Sequence, residues 1–155
     1  MTDTVLTVDP KYRDFSKSLR IGLGLAIKLT RARTTVQLAV DELSAQLRTD
    51  YGPWFSAEAK ENDAGDVDVL LKSMVASPEC CHVATIRFSD AGFPASVIWA
   101  RTYLHCANAS DVYEGIWTAL GRVEVGEYLL RQMPNLIDRP TDDSDVPDSV
   151  TEYDD

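Results

Sequence analysis

Two short clusters hold every residue in the chain best suited to grip a metal or attack a carbonyl: Cys80-Cys81-His82 and His105-Cys106. A zinc site needs four such donors converging at about 2.0–2.3 Å, and the spacing here matches neither C-x-x-C nor H-x₃₋₅-H. Nucleophilic use needs an imidazole within hydrogen-bond reach of a stabilised thiolate. Neighbouring side chains on a strand point to opposite faces, so Cys81 cannot pair with His82, nor His105 with Cys106. A Cys-His hydrolase would therefore require a pairing between the two clusters, and it stands only as an alternative.

The segments that carry the clusters read as β. His82 to Phe88 and Pro94 to Leu104 are rich in β-branched and aromatic residues and flank Ser-Asp-Ala-Gly-Phe, whose glycine suits a hairpin loop. A hairpin centred on Ala91-Gly92 sets Cys80 near Tyr103 and His82 near Arg101, with His105 facing Ser77. The clusters then lie about 10 Å out of step at strand spacing. Free cysteine more commonly packs as a small hydrophobe. We therefore predict no catalytic residue, no metal site and no cofactor. Phosphate-binding and metalloprotease motifs are absent, Ile21-Gly22-Leu23-Gly24 falls within a helix, and among Asp63, Asp66 and Asp68 the glycine precedes Asp66 and no glutamate follows at the position a calcium loop requires.

The strongest periodicity runs from Asp14 to Arg48. Phe15, Ile21, Leu25, Leu29, Ala32, Val36, Val40, Leu43 and Leu47 share one side of a helix. Lys17, Arg20, Lys28 and Arg31 fall in a separate window of about 80°. Gly22 and Gly24 suggest a kink or a close helix contact. Tyr51-Gly52-Pro53-Trp54 turns the chain. A second helix is expected from Asp66 to Ala76, capped by Asp63 or Asp66, with Val67, Leu70, Leu71, Met74 and Val75 inward, ended by Ser77-Pro78. A last helix, capped by Asn108 or Ser110, should run from Asp111 to about Met133 with Val112, Ile116, Leu120 and Val123 inward, divisible at Gly121 or Gly126. The resulting fold class is α+β over residues 1–137: a long N-terminal amphipathic helix, a short helix, an antiparallel β-hairpin or small sheet and a C-terminal helix. An acidic, flexible tail follows over 138–155.

Charge is unevenly laid out. The net charge is -10, yet residues 11–48 carry eight Lys/Arg against three acids, whereas the last 22 residues hold eight acids and one arginine. The tail cannot bury enough apolar surface to offset its ordering entropy. These features predict a non-enzymatic interaction factor of inhibitor, immunity, counter-defence or adaptor type that binds a basic protein surface. Its contacts would be Asp138, Asp142, Asp143, Asp145 and Asp148, with Tyr51 and Trp54 at the turn; Trp99 and Trp117 are expected to pack. The alternative is a self-assembling structural subunit, viral or phage-like, in which Lys17, Arg20, Lys28, Arg31 and Arg33 mediate homo-oligomer contacts or hold nucleic-acid phosphates. No apolar run of membrane-spanning length and no leader-like N-terminus is present, so a cytoplasmic protein without a membrane partner is expected.

Ala32 to Gln37 (Ala-Arg-Thr-Thr-Val-Gln) and Ile86 to Phe93 (Ile-Arg-Phe-Ser-Asp-Ala-Gly-Phe) resemble stretches of rod-shaped plant virus coat proteins. The resemblance implies a structural subunit with Arg31 and Arg33 on phosphates. The two stretches lie farther apart than in that family, and no long returning helix follows Met133.

Overall fold

The structure is a computed structural model that describes residues 7–74 and 79–139. A 37-residue helix, α1 (Phe15–Tyr51), dominates it. The Asp14 carboxylate accepts from Lys17 N–H at 3.0 Å and so caps the first turn. Gly52, at φ 85°, ends the helix and donates its N–H to Arg48 O at 3.0 Å. Gly22 and Gly24 neither break α1 nor meet a neighbour; a Cβ added at either would find open space.

Five strands follow: β1 (Phe55–Glu61), β2 (Val67–Ser73), β3 (Cys80–Ser89), β4 (Gly92–Trp99) and β5 (Thr102–Cys106). They form one antiparallel meander in sequence order. The helix expected from Asp66 to Ala76 is instead β2, paired with β1 on one side and β3 on the other. Its sequence Val-Asp-Val-Leu-Leu fits both periods at positions 67 and 71, but Val69 decides: alternation puts Val67, Val69 and Leu71 on one face, and all three are buried. Val75 and Ala76 lie outside the described residues.

The hairpin between β3 and β4 has the expected register at its centre, with Thr85 opposite Ile98 and Ile86 opposite Val97. The expected pairing of Cys80 with Tyr103 and of His82 with Arg101 fails, because the second strand does not run through to Leu104. It stops at Trp99, turns through Ala100 at φ 49°, and returns as β5 on the far side of β4. Tyr103 therefore pairs with Ile98 and His105 with Ser96, whereas Cys80 pairs with Lys72 and His82 with Leu70.

The expected C-terminal helix is two. Asn108 caps α2 (Ala109–Leu120), accepting from Asp111 N–H at 3.1 Å, and Gly121 separates it from α3 (Val123–Gln132). Val112 and Ile116 point inward as expected, Leu120 packs at the edge, and Val123 and Trp117 are exposed. The first turn of α3 is at the surface, so its stripe begins at Val125 instead.

All three helices cover the same sheet face. The core joins Val36, Ala39, Val40 and Leu47 of α1 to Val69, Leu71, Ile86 and Val97 of the sheet and to Val112, Ile116 and Tyr128 of the other helices. Contact is close where α2 crosses β4: a Cβ on Gly115 would lie 2.7 Å from Val97 Cγ2. The Arg122 guanidinium bridges the α2–α3 junction to the sheet, donating to Val83 O at 2.7 Å. Ser44 of α1 seals the outer edge of β1, accepting from Ala57 N–H at 2.8 Å and donating to Ala57 O at 2.9 Å. No described helix is long and apolar enough to cross a membrane.

Candidate functional site

The two thiol–imidazole clusters do not converge. One opens β3, the other closes β5, and β4 runs between them. Cys106 is fully buried, its Sγ donating to Leu104 O at 3.5 Å, and burial pushes its thiol pKa up. Burial likewise raises Cys81, against the opposing pull of Arg122 and Arg131. A raised thiol pKa is the reverse of what a nucleophile needs. Among the described residues no three His, Cys, Asp or Glu side chains lie close enough to share a metal ion.

The sheet face that the helices leave open carries a polar network. Thr85 donates to Asp68 Oδ1 at 2.6 Å and accepts from His82 Nε2 at 2.8 Å; His82 Nε2 is also 3.4 Å from the same carboxylate oxygen. Burial raises the Asp68 pKa, but hydrogen bonds from Thr85, Asn62 and His82 outweigh it and hold the carboxyl below its ordinary value of 3.8. A depressed carboxyl contributes stability that is present above the unfolded-state pKa and is lost as pH falls through the folded one. Asp68→Asn should therefore lower the urea midpoint at pH 7, and the gap to the native protein should close below about pH 4.

The most unusual surface is the start of α1. The helix first meets the sheet at Lys28, Leu29 and Ala32, which crowd the backbone of Gly92 at the β3–β4 turn. Residues 15–27 project beyond that contact as an arm about 20 Å long, at 1.5 Å per residue. Phe15 is 71% exposed, Leu19 74%, Ile21 58% and Leu23 62%, with Leu25 and Ile27 exposed too. At 100° per residue these six side chains wrap about two-thirds of the circumference. A helix apolar over so much of its surface ordinarily lies buried. Covering each side chain would contribute roughly 1.5–3 kcal/mol.

The remaining third is basic. Lys17, Arg20, Lys28 and Arg31 are exposed, and among the described residues their side chains make no ion pair. Arg33 differs: its guanidinium reaches Glu61 Oε1 at 3.5 Å and Gly65 O at 3.4 Å, so it ties α1 to the β1–β2 turn. Tyr51 is likewise structural, packed edge-on against Phe55 and beneath the Arg139 guanidinium. Trp54 and Asp138 are exposed, and Asp142, Asp143, Asp145 and Asp148 lie outside the described residues.

A second surface lies toward the opposite end of α1. Ala39, Leu43, Ile116 and Leu120 floor a groove of about 410 Å³ between α1 and α2, beside Trp117, which is 75% exposed. Glu42 and Glu114 stand in its walls, and neither has a basic partner among the described residues. Tyr113 shares the groove; burial raises its phenol pKa, and Glu42 beside it adds to the rise.

The sequence stripe had assigned Phe15, Ile21 and Leu25 to the same face as the core residues, and it missed the groove. One signal for the arm was present: Leu19, Leu23 and Ile27 form a second apolar row at four-residue spacing, alongside the first. Comparison with protein-family models, with curated proteins and with solved structures returns no match to this chain, so its site is read from its own geometry.

Proposed function

We propose that the protein is a non-enzymatic binding protein whose recognition element is the projecting arm of α1. The observation that carries this is the exposure of Phe15, Leu19, Ile21 and Leu23 on a helix that continues unbroken into the core. The arm is fixed in direction by its base, so little ordering entropy opposes docking, and its apolar anchors recur at helix spacing as in helix-in-groove recognition. This shifts the proposed seat of recognition from the acidic tail to the basic, apolar arm, and it favours assembly over inhibition of a basic partner.

The test compares proteins captured by the native chain, by Leu19→Glu/Leu23→Glu, and by a chain shortened after Arg139, with the captured proteins identified by mass spectrometry. Capture, of copies of this chain or of others, should disappear with the arm variant and survive the shortening. Capture that survives the arm variant and disappears on shortening would return recognition to the acidic tail.

A further inference from the structure

We infer that the arm of one copy docks in the groove between α1 and α2 of a second copy, giving a reciprocal dimer of antiparallel α1 helices. This rests on the arm being the recognition element and names its occupant.

The two surfaces match in chemistry. The arm offers Leu19, Ile21, Leu23 and Leu25 beside Lys17 and Arg20; the groove offers an apolar floor with Trp117 beside it and Glu42 and Glu114 in its walls. They match in length as well, since the arm and the 12-residue α2 both span about 20 Å at 1.5 Å per residue. The arm cannot fill its own groove, because α1 is continuous from Phe15 to Tyr51 and holds Ile21 about 30 Å from Leu43 on the same rod.

A second copy solves this with one operation. When two α1 helices run antiparallel about the Arg31–Ala32 point, Ile21 comes opposite Glu42, Lys17 opposite Gln46, and Gly24 opposite Ala39. The unobstructed Gly24 then explains itself as the place where two helix backbones approach closely. Each arm enters the other copy's groove by its Ile21 and Leu25 side, so each groove is filled and each arm partly covered in a single closed, two-fold contact. An anionic membrane or a nucleic acid would satisfy the arm's charge but not the groove. Residues outside 11–48 also carry seven Lys/Arg against 22 acids, which repels both.

The experiment is light scattering after size exclusion on the full chain, over a wide concentration range, with circular dichroism and melting to confirm that each variant folds. The native chain should be a dimer. Lys17→Glu/Arg20→Glu and Glu42→Lys/Glu114→Lys should each weaken it roughly ten- to a hundredfold. Mixing the two variants should restore a heterodimer, since each native surface then finds a native partner and each reversed surface a reversed one. A native chain that stays monomeric overturns the inference, as does a dimer indifferent to both reversals or a loss that mixing does not restore. A monomer that captures a foreign protein, or co-sediments with anionic vesicles, through its arm would sink the second copy while leaving the arm as the recognition element. Indifference of capture to Leu19→Glu/Leu23→Glu would sink both.

Discussion

Gly92→Ala should cost about 3 kcal/mol and lower Tm by roughly 6–12 °C. Gly92 sits at φ 88°, where a side chain is strained, and its absent Cβ is the space that α1 occupies. An added Cβ would lie 2.6 Å from Ala32 Cβ and 2.9 Å from Lys28 O, and a helix carbonyl cannot swing aside as a long side chain does. Gly65 provides the control. It has φ 83° but open space around its missing Cβ, so Gly65→Ala should cost only the conformational part, about 1 kcal/mol. The difference between the two variants, read from paired urea titrations, measures the grip of the β3–β4 turn on the base of the arm. Equal losses at the two sites would mean that the turn does not hold the helix.

Tyr128→Ala should be comparably severe, at about 4 kcal/mol. Tyr128 is one of the largest fully buried side chains; its ring meets Phe55 edge-on at 6.5 Å, and its hydroxyl donates to Glu79 O at 2.9 Å. It therefore joins α3 to the backbone at the entry of β3. Tyr128→Phe removes only the hydroxyl and should cost about 1 kcal/mol, leaving the ring packed. Chemical denaturation of both variants separates the two contributions. A Phe variant as unstable as the Ala variant would show that the hydrogen bond, and not the ring, holds α3 in place.

The architecture was legible where one periodicity had no rival. Helix α1 follows from the sequence, as do the centre of the β3–β4 hairpin and, of the two candidates Asn108 and Ser110, the Asn108 cap of α2. Errors arose where two periods coexist or where a turn lacks the usual residues. In β2 the apolar residues fit helix and strand alike, and the turn after Trp99 uses Ala100 and Arg101, without glycine or asparagine to announce it. The arm was hidden for a different reason. Periodicity reports which side of a helix is apolar, not what covers it. A helix of 37 residues spans about 55 Å, whereas a ten-residue strand such as β3 spans about 33 Å, so part of α1 had to overhang the sheet. Once five strands are counted, that overhang follows from arithmetic.

The meander order of the sheet also bears on how the chain reaches this state. Each strand pairs with its immediate neighbours in sequence, so every hairpin closes a short loop and the relative contact order of the sheet is low. Ser44 against Ala57 is nearly as local. The contacts that seat α1 are long-range by comparison: Ala32 against Gly92 spans most of the meander, and Arg139 Nη1 donating to Asp50 O at 2.8 Å spans all of it. Folding should therefore run through successive hairpins, with the helix settling afterwards. Substitutions in residues 15–27 should leave the refolding rate unchanged in stopped-flow experiments, which frees that segment to be shaped by its partner alone.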